Sequence, residues 1–124
     1  MNIAFLDGYT INPGDLTWDS LEALGKLTVY DRTDADKVID RARDAEVIIV
    51  NKTPLTAAHF EALPQLKLVC VAATGYDRVD IQAARAHGVT VCNCAGYSSR
   101  AVAQMAVSLL LEVADSVGTY AELN

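Results

Sequence analysis

Short apolar runs alternate along this chain with stretches whose hydrophobic positions recur at helical spacing. Ile3 to Leu6, Leu27 to Tyr30, Glu46 to Val50, Leu66 to Ala72 and Val89 to Cys92 read as five strands. Between the first two, Leu16, Leu21 and Leu24 follow Asp15, a fair N-cap, and stop at Gly25. Val38, Ile39 and Ala42 mark the inner stripe of a helix begun near Asp34. Thr56 caps a helix through Phe60 and Leu63 that Pro64 ends, and Asp80 to His87 form a helix closed by Gly88. Ser98 or Ser99 caps the last helix, whose Val102, Met105, Ala106, Leu109, Leu110 and Val113 carry it to about Val117.

Unbroken alternation of strand and helix is the mark of βα units around a parallel sheet. Glu46 to Val50 is β-branched and nearly all apolar, as a strand covered on both faces must be, so it should be central. The expected fold is α/β: a flavodoxin-like, doubly wound, five-stranded parallel sheet in a single three-layer domain, with right-handed crossovers. No repeat, low-complexity segment or linker divides residues 1–124, so one domain is expected.

Composition narrows the partners. The chain is 52% apolar and 21% charged, which suits a stable fold, and its net charge is -6 with no Lys/Arg cluster. Nucleic acid and an anionic membrane surface both need a basic footprint, so neither is an expected partner. Met1 to Asp7 has no basic stretch before its apolar residues and does not read as a signal peptide. The apolar run Ala101 to Ala114 is interrupted by Gln104, Ser108 and Glu112 and is too short to cross a bilayer, so a cytoplasmic protein is expected. Of Cys70, Cys92 and Cys94, two fall inside strand runs and read as core thiols. Cys92-x-Cys94 is too tight for usual zinc spacing. His59 and His87 read as surface residues of helices, distant in sequence from any paired acid.

In a doubly wound sheet, ligands bind beyond the carboxyl ends of the strands, so the segments just after the apolar runs carry the candidate chemistry. After the third strand, Asn51-Lys52-Thr53-Pro54-Leu55 places a lysine before a proline-fixed turn, where it could pair with a carboxylate or simply be solvated. After the fourth, Ala73-Thr74-Gly75-Tyr76-Asp77 offers a glycine able to take positive φ and amides at Thr74, Gly75 and Tyr76 able to form an anion cradle; a plain tight turn fits equally well. After the fifth, Tyr97 could face the same crevice or cover a core edge. Ser98 and Ser99 have no apparent base. A nicotinamide-binding fold needs G-x-G-x-x-G after its first strand; the turn here is Asp7-Gly8-Tyr9-Thr10-Ile11, and no such triplet occurs anywhere.

Three segments together resemble the N-terminal domain of D-isomer-specific 2-hydroxyacid dehydrogenases. They are Asn51-Lys52-Thr53-Pro54-Leu55-Thr56, Ala72 through Asp80, and Val91-Cys92-Asn93 through Gly96-Tyr97-Ser98 with Ala101-Val102-Ala103-Gln104. The resemblance spans essentially the whole chain and is strongest to the glycerate dehydrogenase or hydroxypyruvate reductase branch. It implies that the amides of Thr74 and Gly75, with Tyr76 beside them, grip a substrate carboxylate, that Lys52 faces the substrate, and that Tyr97 contacts it. It also implies that the catalytic arginine, glutamate and histidine, and the domain that binds NAD or NADP, lie beyond residue 124. No catalytic residue and no bound cofactor or metal are therefore expected on this chain, which would be a truncated piece, inactive alone. The resemblance implies further that a returning C-terminal segment completes this domain. Without it, the stripe of Met105, Leu109 and Val113 should be exposed and should drive self-association through the last helix.

Two other classes remain open. A stand-alone flavodoxin-like binding or regulatory module, such as a receiver, needs clustered acids after its first strand, an aspartate after its third and a lysine after its fifth. Only Asp7 is so placed, and Lys52 stands where the aspartate should be. A purely structural domain would bind no anion at Thr74 and Gly75.

Overall fold

The computed structural model describes residues 1–123; the end of the expected domain at Asn124 lies outside them. Five strands, β1 (Asn2–Phe5), β2 (Lys26–Val29), β3 (Val47–Val50), β4 (Leu68–Val71) and β5 (Thr90–Asn93), form one sheet in the order β2-β1-β3-β4-β5. Every pairing is parallel. This is the flavodoxin-like order, with β3 at the centre as its four fully buried residues require.

The helices are α1 (Asp19–Glu22), α2 (Val38–Ala42), α3 (Ala57–Ala62), α4 (Ile81–Ala86), α5 (Ser99–Asp115) and α6 (Val117–Leu123), with single 3-10 turns at Gly8–Thr10 and Ala35–Lys37. One face of the sheet packs on α2, α3 and α4 through Val38, Ala42, Phe60, Leu63 and Ala84 against Ala4, Ile48, Val50, Val69 and Val71. The other face carries Ile3, Phe5, Val47 and Ile49 beneath Trp18 and Leu21. Phe5 and Trp18 meet edge to face, with ring centroids 5.3 Å apart.

Several local expectations hold for stated physical reasons. Asp80 caps α4 by accepting the Ala83 N–H at 2.9 Å, and Gly88 ends it at φ +72°. Thr56 begins α3, where its N–H donates to His59 Nδ1 at 2.9 Å, so His59 is a half-buried capping partner rather than a plain surface residue.

Others are corrected. Asp15 caps nothing: the first helix starts after Trp18, and Leu16 and Leu24 are exposed. The chain from Pro13 to Trp18 is held instead by Asn12, a buried side chain that accepts the N–H groups of Gly14 and Leu16 and donates to the Leu16 carbonyl. Tyr30 lies just past β2, and the second helix opens as the 3-10 turn Ala35–Lys37. The last helix breaks at Ser116, which takes φ +49°, and α5 and α6 diverge by 59°. Every described residue from Ser99 onward is exposed, so α5 stands off the sheet instead of covering it. That leaves the β4–β5 half of the α1 face thinly covered. Cys70 is therefore only half-buried and Cys92 is exposed, not a core thiol. Among the described residues no single helix is long and apolar enough to cross a membrane, although α5 and α6 together have the length and composition.

Candidate functional site at the carboxyl edge of the sheet

Strand order reverses between β1 and β3, and the crevice beyond their carboxyl ends is where doubly wound sheets usually take a ligand. Here the crevice is filled from within. Asp7, only 3% exposed at the end of β1, directs its carboxylate at the segment leaving β3. Oδ1 accepts the Asn51 N–H at 2.8 Å, while Oδ2 accepts the N–H of Lys52 at 2.6 Å, the N–H of Thr53 at 2.7 Å and the Thr53 hydroxyl at 3.0 Å. Three consecutive amides thus form an anion-binding nest whose anion belongs to the protein itself. The Asn51 side-chain amide also donates to Thr10 Oγ1 at 2.9 Å, joining the loop after β1 to the loop after β3.

The segment after β3 and the segment after β4 form two arches pinned together at both ends. They leave the sheet side by side at the paired residues Val50 and Val71, and meet again at a parallel bridge between Leu55 and Val79. There Leu55 N–H donates to the Arg78 carbonyl at 2.8 Å and Asp80 N–H to the Leu55 carbonyl at 2.9 Å. Lys52 sits exposed on one arch, and Thr74, Gly75 and Tyr76 on the other. The shared ends limit how far the two arches can move apart.

Among the described residues, no group accepts a hydrogen bond from the backbone N–H of Thr74, Gly75 or Tyr76. Gly75 does not take the positive φ that its identity allowed; what glycine supplies is absence of a side chain, since a Cβ there would come within 3.3 Å of Asp77 Oδ1. The turn is braced from the β5 side. Asn93 Nδ2 donates to the Thr74 carbonyl at 2.7 Å, Thr74 Oγ1 to the Cys94 carbonyl at 3.2 Å, and Cys94 N–H to the Ala73 carbonyl at 3.0 Å. Tyr76, half exposed, also walls a cavity of about 350 Å³ that runs between Ile81, Arg85 and Val89.

Lys52 and the Thr74–Tyr76 turn are thus brought to one edge by adjoining strands. Tyr97 is not joined to them: it is 71% exposed on the loop before α5, and among the described residues no hydrogen bond or ring contact ties it to the turn. Sequence reasoning missed the role of Asp7. Its one local signal is a lone acid directly after the apolar run Ile3 to Leu6.

A dinucleotide does not fit the described residues. The turn after β1 is the 3-10 segment Gly8–Thr10 rather than a glycine-rich helix start, and the Asp7 carboxylate occupies the place where a pyrophosphate would need N–H donors. No group of three or more His, Cys, Asp or Glu side chains able to hold a metal is found among the described residues.

Residues 4–121 match the model of the family described as D-isomer specific 2-hydroxyacid dehydrogenase, catalytic domain. The chain belongs to this family. It is 47% identical over 121 residues to a hydroxypyruvate reductase of Blautia hydrogenotrophica, covering 95% of this chain and 38% of that one. It is 38% identical over 86 residues to a glycerate dehydrogenase of Methylorubrum extorquens, covering 69% of this chain and 27% of that one. Among solved structures it superposes on an acyclic imino acid reductase, described in complex with NADPH and D-Arg, with a TM-score of 0.81 at 26% identity, covering 98% of this chain and 40% of that one. The chain therefore spans under two fifths of the length of these two dehydrogenase relatives. Membership of a dehydrogenase family, together with an Asp7 carboxylate already spent on four donors, removes the receiver-like alternative.

Proposed function

We propose that this chain is the substrate-side domain of an NAD(P)-dependent D-2-hydroxyacid dehydrogenase, and that it holds the carboxylate of a small 2-hydroxy or 2-keto acid. D-Glycerate with hydroxypyruvate, or glyoxylate, is the favoured substrate class. The carboxylate rests on the N–H groups of Thr74, Gly75 and Tyr76, with the Lys52 ammonium facing it from the neighbouring arch and Tyr97 as a further contact.

One observation carries the reading. Two stretches of consecutive amides stand at the carboxyl edge of this sheet; the Asn51–Thr53 set is satisfied by Asp7, whereas the Thr74–Tyr76 set has no acceptor among the described residues, which supports a role for it in holding an outside anion. The 47% identity to a hydroxypyruvate reductase supports the substrate class. A nicotinamide held by chain outside these residues would supply or accept the hydride. By itself the domain binds and orients and is inactive.

Titration of the ¹⁵N-labelled chain with D-glycerate, with glycerol as the control lacking a carboxylate, tests this. Saturable shifts at the Thr74, Gly75 and Tyr76 amides with D-glycerate alone are expected, weakened in Lys52→Ala. An equal response to glycerol, or no response at the turn, would reject it. We further propose that α5 drives association of two copies through Val102, Met105, Leu109 and Val113, all exposed on one helix.

A further inference from the structure

We infer that Asp7 is a positioning residue for substrate binding: its carboxylate fixes the Asn51–Thr53 arch, and through it the place of Lys52. This rests on the carboxylate-binding reading of Lys52 and the Thr74–Tyr76 turn, and adds a residue from a different strand that touches no substrate.

A turn that only had to be closed would not need so many donors on one side chain. Asp7 takes the N–H of Asn51, Lys52 and Thr53 in succession, and the Thr53 hydroxyl as well, inside a buried position reached from β1. The backbone on either side of the Lys52 Cα is thereby held by two bonds to the same oxygen, Oδ2. Farther along, the next backbone hydrogen bonds of the arch among the described residues are those of Leu55, at its bridge to Val79. Lys52 therefore swings from a backbone whose near anchor is Asp7 and whose far anchor is shared with the substrate turn. Loosening the near anchor frees the lysine backbone relative to the turn while leaving the Lys52 side chain and the turn residues unaltered in sequence. Four donors around one carboxylate also explain the residue type. An asparagine offers a single acceptor oxygen and would turn its own NH2 toward amides that are already donors.

The test is a double-mutant cycle in which D-glycerate affinity is read from amide shifts for the wild-type chain, Asp7→Asn, Lys52→Ala and the double variant. Asp7→Asn is expected to weaken D-glycerate about tenfold, and to speed amide exchange at Asn51–Thr53 while Val69 and Val71 stay protected. Lys52→Ala should then cost little further in the Asp7→Asn background. Should Asp7→Asn fail to fold, Thr53→Val keeps the carboxylate and three amide bonds while removing the hydroxyl donor, and should weaken D-glycerate in the same direction by a smaller factor. Unchanged affinity in the folded variant, or an equal Lys52→Ala penalty in both backgrounds, overturns the positioning role and makes Asp7 purely structural. Absence of any D-glycerate response in the wild-type chain is a different failure, that of the carboxylate-binding reading itself, and removes the inference along with it.

Discussion

Asp7 Oδ2 accepts both the backbone N–H of Thr53, at 2.7 Å, and its hydroxyl, at 3.0 Å, across 46 residues of sequence. This pair seals the crevice that a doubly wound sheet usually offers to a ligand. The open donors are displaced one loop along, to the turn after β4. The amides that find no acceptor among the described residues thus lie beside the switch point instead of in it.

Replacing Thr53 with valine preserves shape and removes one donor from a buried carboxylate. Thr53→Val should cost about 1–3 kcal/mol. Urea unfolding should show a lower midpoint with an unchanged slope.

Two glycines are required for different reasons. A Cβ on Gly25 would stand 2.3 Å from the Met1 carbonyl oxygen, which accepts the Lys26 N–H where β1 and β2 begin to pair. Gly88 has open space around it but a φ of +72°. Gly88→Ala should cost roughly 1–2 kcal/mol, the left-handed penalty alone. Gly25→Ala should cost about 1–3 kcal/mol through overpacking and, unlike Gly88→Ala, should raise the amide exchange rate of Lys26.

His59 lies below its ordinary value of 6.5 because burial disfavours the charged ring, an effect partly opposed by a hydrogen bond with the Ala35 backbone. Only an unprotonated Nδ1 can accept the Thr56 N–H. The unfolded chain therefore takes up this proton at higher pH than the folded one. Stability from His59 is complete above about 6.5 and is lost as pH falls through the lower folded value. Urea midpoints at pH 7.5 and 5.5 should differ more in the wild type than in His59→Gln. An NMR titration that placed His59 above 6.5 would contradict this.

Burial, and then the nearby Cys92 and Cys94, push the Cys70 thiol above its ordinary range. Cys70 is half-buried, while Cys92 and Cys94 are exposed. Iodoacetamide near pH 8 should modify the two exposed thiols first, with Cys70 lagging until the pH is raised or urea is added. Peptide mapping at timed quenches reads the order directly.

The apolar residues of α5 predict association. Light scattering should show a concentration-dependent dimer, and Leu109→Glu with Val113→Glu should shift it to monomer. A monomer at every concentration would reject association through this helix.

The strands and most helices were legible because their cause is local. Val47 to Val50 must be a buried central strand since four adjacent apolar, β-branched residues leave no face for water, and Asp80 and Gly88 announce the ends of α4 by their own backbone chemistry. The segments carrying Lys52 and Thr74–Tyr76 were legible for the same reason, lying where apolar runs stop. Position after a strand does not reveal what a side chain will meet. Asp7 finds its donors 44 to 46 residues away, once β1 and β3 have paired. Likewise, periodicity marked α5 as an apolar helix, yet only the folded chain shows it standing clear of the sheet, with Cys92 exposed and Cys70 half-exposed. Sequence determined which residues could form elements and which loops could hold an anion. Tertiary structure decided which amides would be consumed internally and which would stay free, because hydrogen bonds between distant loops form only after strand order has set them side by side.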